Sequence, residues 1–211
     1  QYLSYEACFI DSIGEGGVVD SLSLIDFEVH GQHAAGVAMV NNGTVKAVSV
    51  IGTVEVSDDG AGLVKINNGT IENASFTGMV YSENKKKYYD VILAGFVNEN
   101  SGIIRGAKGN LTVKGEIHSG AGVAYENTGT IEGARINADL HLSADYVGGI
   151  AAKNSGKVMA CTVSVSIGGT SSYVGGIAGF NSGIVSACSA TVGIEMTGSY
   201  VGGLIGKDEG I

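Results

Sequence analysis

Three stretches decide the fold: YVGGIAAKNSGKVMACTVSVSIGG from Tyr146, YVGGIAGFNSGIVSACSATVGIEM from Tyr173 and YVGGLIGKDEGI from Tyr200. They start 27 residues apart. Looser copies precede them: AGVAYENTGTIEGARI from Ala121, AGFVNENSGIIRGAKG from Ala94, AGLVKINNGTIENASF from Ala61 and AGVAMVNNGTVKAVSV from Ala35. Their anchoring glycines are Gly36, Gly62, Gly95, Gly122, Gly149, Gly176 and Gly203, at steps of 26, 33, 27, 27, 27 and 27 residues. A fixed period of this size marks units that cannot bury a core alone and must stack on one another. The one long step contains SENKKKYYD, residues 82–90, which reads as a loop inserted into the repeat.

Seven residues beyond each anchor stands a second glycine: Gly43, Gly69, Gly102, Gly129, Gly156 and Gly183, with Gly210 last and Gly17 in a degenerate first unit. Two residues before it comes Asn41, Asn67, Asn100, Asn127, Asn154 or Asn181, with Asp208 last. Asn, a small polar residue and Gly make a turn, because Asn bonds to nearby backbone and Gly accepts left-handed dihedrals. Stacked in successive coils, the Asn amides can also bond to one another, each being donor and acceptor. These residues therefore read as a structural ladder.

The apolar phase identifies the coil. Nine residues after the anchor stand Val45, Ile71, Ile104, Ile131, Val158 and Val185. Position twelve is small: Val48, Ala74, Ala107, Ala134, Cys161 and Cys188. Position fourteen is apolar at Val50, Phe76, Ile136, Val163 and Ala190, with Gly109 the exception. Inward residues then follow every second place, as in Val165 and Ile167, the alternation of a strand. Between positions nine and twelve the parity shifts, which reads as a corner. Leucine-rich repeats share the period but need Leu at fixed places, and propeller blades need about 40 residues. The expectation is an all-β parallel β-solenoid (β-helix) of about eight coils, with three short strands per coil. At ~4.8 Å between coils the rod would be roughly 38 Å long, and the general crossover preference favours right-handed coiling. Residues 1–32 form a degenerate first coil or cap, and residues 1–211 form one domain.

Composition agrees. The chain has 211 residues, 35 Gly and no Pro. Proline lacks the ladder N–H and is confined to sheet edges, bulges and turns, so its absence suits strands paired on both sides. With 12 basic against 21 acidic residues the formal charge is −9, which disfavours nucleic acid, a ligand that needs clustered Lys and Arg. No apolar stretch reaches the ~20 residues that span a bilayer, so membrane insertion is not expected.

The phrase YVGGIAGFNSGIVSAC, Tyr173 to Cys188, resembles the GLUG motif of bacterial surface and secreted proteins. Similar repeats occur N-terminal to the catalytic part of metallopeptidases that cleave immunoglobulin A. The resemblance covers roughly residues 33–211 and is strongest from Ala121 onward. It implies an extracellular or cell-surface location in bacteria and a stalk or adhesive role. The HExxH zinc motif of those peptidases is missing from this chain, so their activity is not carried over, and a substrate-binding accessory role remains as an alternative.

A search for chemistry finds little. His30, His33, His118 and His141 lack metal-ligand spacing, and no nucleophile elbow or phosphate loop is present. Asp58, Asp59, Asp139 and Asp145 do not recur at stacked places, which leaves a carbohydrate-active enzyme as a minor alternative. The expectation is no enzyme, no metal and no cofactor. Cys161 and Cys188 read as small buried thiols, and Cys8 aligns with Val147 and Val174.

Two features remain for binding. Tyr146, Tyr173 and Tyr200 precede an inward Val, so they stack outside the rod, either as an aromatic ladder or as a platform for sugar rings. Lys85, Lys86, Lys87, Tyr88 and Tyr89 interrupt the repeat and must bulge from it. Possible partners are a host glycan or protein. Terminal coils normally need caps, and none is evident here, so the chain is expected to be an excerpt of a longer polypeptide or to stack end to end.

Overall fold

A computed structural model of the chain describes residues 4–83, 91–116 and 119–210. The inserted Lys85, Lys86, Lys87, Tyr88 and Tyr89, and also His118, lie outside the described residues. Within them there is no helix, and the strands fall into sheets of eleven, eight and seven strands. Strands pair in parallel with their counterparts one period away, so Tyr146, Val147 and Gly148 lie level with Tyr173, Val174 and Gly175. The chain is a parallel β-solenoid. Seven strands in the third sheet mark about seven turns, where the glycine pairs suggest about eight.

One coil shows the plan. Arg135–Gly148 lies in the first sheet, Ala151–Asn154 in the second and Lys157–Met159 in the third. Three strands per coil agree with the alternation, but only two are short, the first running for 14 residues. Among the described residues this long strand is divided in two coils. Ser75–Tyr81 and Ile92–Ala94 flank the insertion, and Ser189–Thr197 with Tyr200–Gly202 follow the same split. Ser4–Ala7, Ile10–Ile13 and Val18–Asp20 pair with the coil that follows them, so the first turn belongs to the rod. Its register puts Ala7, not Cys8, level with Ala34 and so in the column that includes Val147 and Val174. Bulges at Ile25/Phe27 and Gly31/His33 in the second coil hide that offset from any count made at a fixed period.

The parity shift has a single-residue cause. Eleven places after the anchor the chain takes a positive φ, at Ser21, Ala47, Asn73, Gly106, Gly133, Ala160 and Ala187, with values of 49–66°. One left-handed residue turns the corner between third and first sheets, and position twelve then points inward.

The turn glycines differ from expectation. None of Gly43, Gly69, Gly102, Gly129, Gly156 and Gly183 has a positive φ. A Cβ on any of them would collide with the carbonyl oxygen of the equivalent glycine one coil earlier. Glycine is needed there for close approach of two backbones. The anchor glycines obey the same rule in the other direction, since a Cβ on Gly122 would strike the carbonyl of Gly149.

The core is a set of axial columns. Val45, Ile71, Ile104, Ile131 and Val158 are fully buried, as are Ala74, Ala107, Ala134 and Cys161. Gly109 interrupts its column where Leu111, and then Phe96 and Ile136, crowd the space a Cβ would take. In the last coil Val185, Cys188, Ala190, Val192, Ile194 and Met196 are only partly buried.

Candidate functional site

Inside the turn, the six asparagines form an unbroken hydrogen-bonded column. Asn41 Nδ2 donates to Asn67 Oδ1 at 2.8 Å, and the same bond links Asn67, Asn100, Asn127, Asn154 and Asn181 at 2.7 Å per step. All six are 0–3% exposed. Each of these six also points its Nδ2 at a backbone carbonyl near the turn glycines. The ladder ends where Asn181 donates to Asp208 Oδ1 at 2.8 Å. That bond, and one from the Gly210 N–H, hold the Asp208 carboxyl below its usual range. Ile13 stands one coil before Asn41, so the column starts there.

Outside the corner between first and second sheets, Tyr146, Tyr173 and Tyr200 lie in one column. Their centroids are 4.8 and 4.9 Å apart with 6° between planes. The ring faces are thus turned along the rod and cover one another. Phe180 meets Tyr146 and Tyr173 edge-on, at 6.4 and 6.1 Å. The Lys153 ammonium lies 4.3 Å from the Tyr146 centroid and donates to the Tyr125 hydroxyl at 3.1 Å. Lys207 lies over Tyr200 and Phe180, at 5.6 and 5.9 Å. Its pKa is raised, chiefly by a hydrogen bond to Glu209. Sequence reading missed Tyr125, Lys153, Phe180 and Lys207. The signal was available: Lys153, Phe180 and Lys207 all stand four places after an anchor, and their registers align.

The outer face of the long sheet carries three neighbouring columns. One holds Thr77, Asn110, Asn137, Ser164 and Thr191, and the next Met79, Thr112, Asp139, Ser166 and Gly193. The third runs Tyr81, Lys114, His141, Gly168 and Glu195. Between them lie two axial troughs, of about 570 and 770 Å³, that share Ser166. Asp139 holds the His141 ring through a 3.0 Å bond to Nε2. Tyr81 donates to Glu55 at 2.7 Å, and its pKa is pushed up to about 12 by burial and then by that carboxylate.

The other two described histidines also face carboxylates: His30 lies 2.6 Å from Glu55 and His33 lies 3.3 Å from Asp59. Among the described residues no three His, Cys, Asp or Glu side chains are grouped to hold a metal. Cys161 is fully buried and Cys188 partly so. The neighbouring Cys188 thiol, then burial, raise the pKa of Cys161, while each thiol points at backbone carbonyls. No family model matches the chain, and no curated protein or solved structure matches it.

Proposed function

We propose that the chain is a non-catalytic repeat domain of an extracellular or cell-surface bacterial protein, acting as a stalk. The observation that supports this reading is axial continuity. A ladder buried from Asn41 to Asn181 and closed by Asp208, together with three parallel sheets, runs from coil to coil. Backbone bonds lie along the rod, so tension on it is shared by all three sheets at once. The bacterial surface location rests on the GLUG-like residues Tyr173 to Cys188.

An antibody against the folded domain should label intact cells of the source bacterium without permeabilisation. Pulling the isolated domain should release one coil at a time, about 27 residues and so roughly 90 Å of chain. Labelling only after cell lysis would reject the location, and smooth extension without steps would reject the stalk. A second, adhesive reading is favoured by Tyr200, 44% exposed beneath Lys207. It expects a glycan or host protein to lose its affinity when Tyr146, Tyr173 and Tyr200 are replaced by Ala.

A further inference from the structure

We propose that the outer face of the long sheet binds an uncharged, linear oligosaccharide, laid along the rod axis in the troughs that meet at Ser166. This goes beyond the stalk and uses a different face from the tyrosine column. The argument starts with what the columns lack. In the column Tyr81, Lys114, His141 and Glu195, one place is empty of side chain, at Gly168. In the neighbouring column the place beside Ser166 is Gly193, where an added Cβ would meet nothing within 4 Å. Nothing about backbone dihedrals or crowding demands glycine at either position. What the two glycines do create is depth: Gly168 leaves the floor open between His141 and Glu195 in the larger trough, and Gly193 opens the smaller one beyond Ser166.

The size and chemistry of that space select the ligand. The larger trough, about 770 Å³, falls within the ~300–1,000 Å³ of ordinary small-ligand sites. Five coils border it, from Tyr81 to Glu195, a run of about 19 Å at ~4.8 Å per coil. Such a length suits a chain of sugars rather than a single compact molecule. The smaller trough is lined by the hydroxyls and amides of Asn110, Asn137, Ser164, Thr191 and Ser166, and the larger by Tyr81, His141 and Ser143 beside Lys114 and the carboxylates of Glu83, Glu116 and Glu195. The hydroxyls and amides donate and accept at once, as vicinal sugar hydroxyls do. An apolar ligand would strand them unpaired. Among the described residues, an anionic chain would meet the carboxylates of Glu83, Glu116, Asp139 and Glu195 against the one ammonium of Lys114. His141, held by Asp139 and leaning over Gly168, presents a ring already fixed in orientation.

Calorimetry or ligand-observed NMR with cellohexaose on the whole chain tests this, beside a galacturonate hexamer as the anionic counterpart. Gly193→Arg and Gly168→Gln fill the troughs at positions with room for the new Cβ, and circular dichroism reports that each variant keeps its fold. Cellohexaose is expected to bind, to weaken at least tenfold in both variants, and to bind Tyr173→Ala within twofold of the parent. The galacturonate hexamer should bind at least tenfold more weakly. The proposal is overturned by no cellohexaose binding at about 10 mM, beyond the range of specific affinity. Equal binding by the filled variants, or tighter binding of the galacturonate, overturns it too. A Tyr173→Ala variant that alone abolishes binding would move the site to the tyrosine column and also overturn it.

Discussion

At the scale of single residues, the buried amides carry the strongest constraint. Asn127 accepts from Asn100 and donates to Asn154, and it is fully buried. Replacing it with Ala strands a donor and an acceptor in the interior, each costing roughly 1–3 kcal/mol when unmade. Asn41 has a ladder neighbour on one side only, since Ile13 stands on the other. Urea unfolding should therefore show Asn127→Ala losing about twice as much stability as Asn41→Ala, and equal losses would deny that the ladder acts as a chain. The end of the column responds to acid. The native Asp208 carboxyl has a lowered pKa, because Asn181 and the Gly210 N–H hydrogen-bond to its charged form. Its contribution to stability is complete above the unfolded value of about 4 and is lost as pH falls through the lower native value. Asp208→Asn keeps an acceptor for Asn181 but cannot titrate, so its Tm should fall less steeply than the parent's below about pH 4. Parallel acid profiles would refute the bond's role.

At the scale of elements, corner and turn ask opposite things of small residues. Ala160 and Ala187 hold φ of 53° and 52°, a region that costs an L-residue roughly 1–2 kcal/mol. Glycine relieves this strain while losing ~0.4–1 kcal/mol to chain entropy, so Ala160→Gly should raise stability slightly, by up to about 1 kcal/mol. Gly156→Ala should do the reverse and more strongly, at or above the ~1–3 kcal/mol of ordinary overpacking, because its Cβ meets the Gly129 carbonyl rather than a yielding side chain. A thermal melt of both variants checks the pair of signs. This contrast also shows what could be read beforehand. The period was legible because the core columns repeat, and the corner because inward residues changed parity. The reason for the turn glycines was not, since a left-handed dihedral and a near approach from another coil leave the same letter in the sequence. The polar columns beneath the troughs were hidden for a related reason. Tyr81, Lys114, His141, Gly168 and Glu195 share a place but not a chemistry, so periodicity alone is blind to them.

For the molecule as a whole, each coil touches mainly its two neighbours, and stability is close to a sum over coils and interfaces. Deleting one whole period should then be far gentler than deleting half of one. Removing residues 149–175 joins Gly148 to Gly176 and restores the Gly-Gly corner of the native repeat. It also brings Ile136, Ala138, Leu140 and Leu142 against Ala190, Val192, Ile194 and Met196, the partners that Val163, Val165, Ile167 and Gly169 have now. Asn127 would meet Asn181 and Tyr146 would meet Tyr200, so both ladders close over the gap. Removing residues 149–161 instead takes away the second and third strands, Ala151–Asn154 and Lys157–Met159, and leaves long strands facing one another without a turn between them. The first variant is expected to keep a β-type circular dichroism spectrum and one cooperative unfolding transition, with a modestly lower Tm from the lost coil. The second should lose cooperativity or aggregate, since a parallel pair cannot be closed by so short a connection. If the two deletions behave alike, neighbouring coils are not interchangeable, and the register that defines the rod is not what holds it together.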